Sequence, residues 1–139
     1  ESGPPWSYAR RMRFVGRFKE LEPEHEDAPL LASQVGRLSD AQVNQVTKHL
    51  KSGVSVFDVM EVVTDPIDGS THIPGGSGLL TDGEWVWRQD LVYFVQTHRI
   101  GLPAEFLTHV ATHAATNEAI VVDVASCIDE ALRVAGWQS

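Results

Sequence analysis

The chain has 139 residues, 42% of them hydrophobic and 22% charged, with a formal net charge of −8. That length suits one domain, here residues 1–139, able to bury about two thirds of its unfolded surface, and the acidic balance argues against nucleic acid, whose phosphates it repels, and for a basic protein partner. The lone cysteine, Cys127, excludes an internal disulfide framework and a Cys-based zinc site and fits a cytoplasmic location, while no apolar run approaches the ~20 residues of a membrane span and no secretory leader pattern is read.

Residues 1–10, with Pro4, Pro5, Trp6 and Tyr8, read as an extended lead-in. A basic stretch follows (Arg10, Arg11, Arg13, Arg17, Lys19). Polar and apolar residues alternate through it around Met12 and Phe14, which suggests an edge strand with Gly16 at a bulge. Glu20, Glu22, Glu24, Glu26 and Asp27 then open a solvated, irregular connection. A helix is expected over 40–51, with Ser39 as N-cap, Lys48 and Lys51 in the last turn and Gly53 just beyond its end; Val43, Val46 and Leu50 form its buried stripe. The segment 54–64 is ambiguous, and its β-branched content favours a strand over 59–64.

Residues 65–78 read as a Pro-, Gly- and Asp-rich loop. Leu79-Leu80 and Trp85-Val86-Trp87, joined by the Asp82-Gly83 turn, read as a hairpin. Asp90 is placed to cap a helix over 91–98. Gly101-Leu102-Pro103 ends it and starts another at Pro103, with Phe106, Leu107, Val110 and Ala114 facing inward. Residues 120–122 are a short strand or extended link. The last helix is capped by Asp123 and closed by Gly136, with Val124, Cys127, Ile128, Ala131, Leu132 and Ala135 on one face. Strands and helices do not alternate, so the expected class is α+β: a small antiparallel sheet with a central hairpin, packed against three to four helices.

Asp65-Pro66-Ile67-Asp68-Gly69-Ser70 resembles the D-P-[IL]-D-G-[ST] signature of the inositol monophosphatase family. The resemblance implies two aspartates holding Mg²⁺ and turn amides receiving phosphate, and it suggests a small metal-dependent phosphatase or hydrolase using Asp65, Asp68 and His72. The rest of the family pattern is missing. No Glu-Glu pair precedes Val62, Val122-Asp123-Val124-Ala125 lacks the tryptophan of W-D-x-A, and Pro74 opposes the expected helix. Asp-Pro and Asp-Gly are also ordinary turn formers, and a structural turn is the favoured reading.

Gly75-Gly76-Ser77-Gly78 lacks the Gly-Lys-Ser/Thr ending of a P-loop. His109 and His113 are spaced for shared metal ligation, with His98, Glu105 or Glu118 as a third donor, but position 110 is valine, so H-E-x-x-H is absent; surface histidines beside an apolar stripe are the favoured reading. Cys127 lies on a buried stripe and no G-x-S-x-G elbow is present, so no catalytic residue, metal ligand or cofactor is nominated.

Alternation puts Trp85 and Trp87 on one face of the hairpin. The favoured reading is core. If that face were exposed, the aromatics beside acidic residues would make a partner-binding patch. The run L-L-T-D-G-x-W-x-W-R-x-D-L-x-Y-[YF]-V followed by L-P-x-E-F-L, residues 79–107, resembles a pattern in small acidic actinobacterial proteins and is similar in style to immunity proteins of bacterial polymorphic-toxin systems. That resemblance implies a non-enzymatic domain that neutralises a toxin by masking its active site. The expected contact residues are Asp65, Asp68, Asp82, Glu84, Trp85, Trp87 and Asp90. A regulatory or structural subunit of a larger assembly is the remaining alternative, and the oligomeric state is left open.

Overall fold

The computed structural model describes residues 12–116 and 119–136. The expected lead-in over 1–10, the first two arginines of the basic stretch and Glu118 lie outside the described residues. The elements are β1 (Arg13–Phe14), a 3₁₀ turn (Leu31–Gln34), α1 (Asp40–Lys51), β2 (Val54–Phe57), β3 (Val62–Thr64), β4 (His72–Pro74), β5 (Leu79–Thr81), β6 (Trp85–Arg88), α2 (Leu91–His98), α3 (Ala104–Thr116) and α4 (Val124–Ala135). The class is α+β. Among the described residues, four helices pack with a four-stranded sheet ordered β1-β6-β5-β2 and a two-stranded sheet, β3-β4.

The β5–β6 hairpin is the centre of the larger sheet, paired antiparallel with Leu80 opposite Trp87 and Thr81 opposite Val86. Both of its faces are covered. On one face Trp85 and Trp87 enter a cluster with Val46 and Leu50 of α1, Leu91, Phe94 and Val95 of α2, and Phe106 and Val110 of α3. On the other, Val86, Leu79 and Val56 meet Cys127, Ala131 and Ala135 of α4. The alternation of large aromatics with valine therefore sorts two cores, one on each side of β6. All four residues of β6 are buried, so the tryptophans are core and the condition for an exposed aromatic patch is not met.

Helix α1 starts as its sequence dictates. The Ser39 side chain accepts from the Gln42 backbone N–H while the Gln42 side chain accepts from the Ser39 N–H, a complete capping box. Its end also falls where expected, at Lys51 with Ser52 as C-cap and Gly53 just beyond, and Gly53 is needed there for space. A Cβ there would lie 2.5 Å from the ring of Trp87. Gly53→Ala should therefore cost about 1–3 kcal/mol through overpacking, measured by urea unfolding, although alanine is ordinarily the better helix residue.

Two expected caps are not made by side chains. Asp90 begins α2, yet it sits in right-handed conformation and its carboxylate makes no cap bond. Arg88, two residues earlier, clasps both of its oxygens at 3.2 and 2.8 Å. Asp123 precedes α4 with no side-chain cap, and its backbone carbonyl accepts from Ser126 instead. Helix α2 covers Leu91–His98 as expected, and its C-cap is Arg99 in left-handed conformation (φ 53°). Helix α3 starts at Ala104, one residue after the expected Pro103.

The strand expected over 59–64 is divided, with β2 ending at Phe57 and β3 covering only Val62–Thr64. Its partner β4 falls inside the expected loop, where Val62 pairs with Pro74. Proline is tolerated because β4 lies at the edge of a two-stranded sheet. β1 is an edge strand as expected, but it runs parallel to β6 and is two residues long. Residues 120–122 form no strand. No described helix is long and apolar enough to cross a membrane.

Candidate functional site

Asp82 organises a dense polar cluster. It occupies the hairpin turn, where its Oδ1 accepts the backbone N–H groups of Glu84 and Trp85 at 2.9 and 2.8 Å. Gly83 supplies the positive φ (100°) that this turn needs. Its other oxygen, Oδ2, meets Nε2 of His49 from α1 and Nε2 of His109 from α3, each at 2.7 Å. An ionised carboxylate can only accept, so both imidazoles donate to one oxygen. Burial alone would raise the Asp82 pKa; the hydrogen bonds from His49, Trp85, Glu84 and His109 overcome it and bring it down to about 2.

The cluster extends outward. His113 lies one turn beyond His109, with ring centroids 4.6 Å apart, and its ring is 5.2 Å from that of His49. Glu84 Oε2 stands 3.9 Å from both His109 Nδ1 and His113 Nε2. His49 and His113 form part of the wall of a pocket of about 340 Å³ that also includes Lys48, Val110 and Ile120. His109 and His113 thus share a helix face as their spacing indicates, but their polar neighbours are His49, Asp82 and Glu84. Of the third donors expected, Glu105 pairs with Arg13 and His98 belongs to another cluster.

That second cluster surrounds Asp65. Tyr93 Oη and His98 Nε2 donate to Oδ2 at 2.6 and 2.7 Å, and the Ile67 N–H donates to Oδ1 at 2.8 Å. Burial pushes its pKa up, and these three hydrogen bonds hold it below the ordinary value. Asp68 is exposed and closes its own turn, accepting from the backbone of Ser70 and Thr71 and from the Thr71 hydroxyl; those bonds hold it at about 2. Every oxygen of the Asp65/Asp68 pair is thus taken up by turn or anchor hydrogen bonds. His72 bonds Thr64 across the β3–β4 hairpin, away from either carboxylate. The arrangement is that of a structural turn.

No family model, curated protein or solved structure matches this chain. The site is therefore read from its own chemistry.

A third cluster arises from the acidic connection, which is not uniformly solvated. Glu20 caps the 3₁₀ turn through the Leu31 and Ala32 N–H groups at 2.6 and 3.0 Å. Glu22 is buried beside Arg17, and its Oε2 has no hydrogen-bond partner. Burial raises its pKa, only partly offset by Arg17, Arg88 and His25. Glu24, Glu26 and Asp27 are exposed as expected.

Of the seven residues expected at a partner surface, Asp65, Asp82, Trp85, Trp87 and Asp90 are buried, whereas Asp68 and Glu84 are exposed. Exposed large apolar side chains lie elsewhere: Leu30, Val35 and Val121 are scattered, whereas Met60 (98% exposed), Val62 (55%) and Phe57 (43%) fall close together in the chain. Phe57 ends β2, an edge strand of the larger sheet, Met60 lies in the connection, and Val62 begins β3. Asp58 and Glu61, both exposed, are interleaved with them. Composition alone does not separate this segment from a buried strand, because Phe57, Met60 and Val62 read equally well as core.

Proposed function

We propose that this chain is a non-enzymatic, acidic binding domain of the cytoplasm that takes a basic protein partner, in the manner of an immunity protein covering a toxin's active site. The observation that carries this reading is the run Phe57–Val62, where Met60 stands almost wholly in solvent next to β2, the outer strand of the larger sheet among the described residues. Exposed apolar side chains along one stretch of chain cost solubility unless a partner covers them. Asp58 and Glu61 within the run, with the net charge of −8, favour a partner whose contact face is basic around an apolar centre. Among the carboxylates singled out earlier, Asp68 and Glu84 are the exposed ones.

A paired substitution tests the surface. Met60→Ser with Val62→Thr removes apolar contact area without changing charge, and should alter unfolding stability by no more than about 0.5 kcal/mol because neither side chain is core. The same variant should lose at least about tenfold in affinity for the partner, the equivalent of about 1.4 kcal/mol, read by calorimetry against the wild-type chain. Equal affinity of variant and wild type would remove this face from the interface.

A further inference from the structure

The junction of α1, α3 and the hairpin turn holds a constellation that a protein-binding role does not use. We propose that His49, Asp82 and His109 form a binding site for a divalent transition-metal ion of the Zn²⁺ class. This inference is independent of the partner-binding reading.

The geometry begins with convergence. His49 Nε2, Asp82 Oδ2 and His109 Nε2 come from three separate elements, and these atoms lie within 4.8 Å of one another. In the described state both nitrogens point at a single oxygen, each 2.7 Å away. A metal with bonds near 2.0–2.1 Å holds tetrahedral ligands about 3.3 Å apart, so each histidine nitrogen needs to draw back from Asp82 Oδ2 by about 0.6 Å. On binding, each imidazole presents its Nε2 lone pair and carries its proton on Nδ1 instead.

The surroundings match a metal site in three respects. Asp82 Oδ1 is fixed by the Glu84 and Trp85 backbone N–H groups, which orients Oδ2 toward the histidines. Glu84 Oε2 lies 3.9 Å from His109 Nδ1, on the side where a metal-bound imidazole carries its outer carboxylate. His49 and His113 line the neighbouring pocket, and the His113 ring, 5.2 Å from that of His49 and 4.6 Å from that of His109, sets a further imidazole beside the ligands. Two imidazoles and one carboxylate suit Zn²⁺, Co²⁺ or Ni²⁺. Mg²⁺ and Ca²⁺ prefer oxygen ligands and are excluded on that ground.

Glu84, His109 and His113 form an overlapping group on the outer side of His109, and a separate third group, Glu22, Glu24 and His25, also has donors within 4.8 Å. It offers a single imidazole, already engaged by Arg17, and serves as the control.

The test titrates Zn²⁺ alone into the chelator-treated full chain, with a chromophoric chelator as competitor. Co²⁺ loading and zinc K-edge absorption then report the ligands. The wild-type chain should take up one ion with a rise in Tm. The Co²⁺ form should show the intense visible band of four-coordinate geometry, and the K-edge spectrum should require at least two imidazoles. His109→Gln should weaken binding by at least the roughly 10–100-fold that loss of even an outer-shell partner costs. His25→Gln should bind as wild type. Circular dichroism confirms that each variant is folded, and the wild-type spectra decide the matter if His109→Gln is not. No stoichiometric uptake, a K-edge spectrum without two imidazoles, or undiminished binding in folded His109→Gln overturns the proposal.

Discussion

Asp82→Ala should lower the unfolding free energy by about 3–5 kcal/mol. The reason is the number of groups that depend on it. Two imidazole N–H donors and two backbone N–H groups converge on one buried carboxylate. Removing it leaves donors from α1, α3 and the hairpin turn without an acceptor in a space that water does not easily fill. Asp82→Asn should be milder, about 1–3 kcal/mol, because its amide oxygen can still accept from the turn and either imidazole can change tautomer. Urea unfolding at pH 7 distinguishes the two. The pH dependence has a definite sign. The folded pKa of about 2 lies below the ordinary 3.8, so this stabilisation is present above pH 3.8 and is lost as the pH falls through 2. Equal, small losses in the Ala and Asn variants would show that the cluster does not tie the three elements together.

The second large effect is expected at Arg88, with the opposite pH behaviour. Its guanidinium holds Asp90 bidentately in a buried setting and also lies near Glu22. Burial pushes Asp90 up to about 6 despite that pairing, with Glu22 adding repulsion. A carboxyl whose folded pKa exceeds its unfolded value loses stability as the pH rises from 3.8 toward 6. The shift corresponds to a cost on the order of 3 kcal/mol at neutral pH. Arg88→Met should therefore destabilise by about 3–5 kcal/mol at pH 7, since it strands a buried carboxylate. The loss should shrink as the pH approaches 4, where Asp90 is protonated with or without the arginine. Thermal unfolding of both proteins across pH 4–8 checks this, and a loss that does not vary with pH would contradict it.

These two clusters also mark where sequence reading succeeds and where it stops. Local signals carried the elements they encode. Ser39 and Gln42 sit three apart and make the capping box, Asp82-Gly83 makes the turn, and Trp85-Val86-Trp87 sorts its side chains by simple alternation. What failed was the use of side chains whose partners are distant. Asp90 has the chemistry of an N-cap, but Arg88 competes for its carboxylate and wins by charge. Glu22 reads as one of five solvated acids, and only the fold puts it in the interior. β4 was hidden because Pro74 argues against a strand, and a two-stranded edge removes that objection.

The Asp82 site was half visible. His109 and His113 stand out by spacing, but His49 is 33 residues from Asp82 and His109 is 27 away, separations that no local pattern encodes. A signal for His49 did exist: it lies three residues after Val46 and directly before Leu50, on the buried stripe of α1, where an imidazole needs a polar partner. For the partner surface the ambiguity was composition. Met60 and Val62 are apolar and look like core, and their exposure follows from the break between β2 and β3.

We propose that a basic protein covers the run from Phe57 through Met60 to Val62. Affinity capture from the cells that natively produce the chain, followed by calorimetry with the purified captured protein across a salt series, tests this. The expected result is a basic partner that binds one to one, weakens as salt screens the carboxylates, and loses at least about tenfold in affinity to the Met60→Ser/Val62→Thr variant. Absence of any such partner at low salt, or a partner that binds wild type and variant alike, would contradict it.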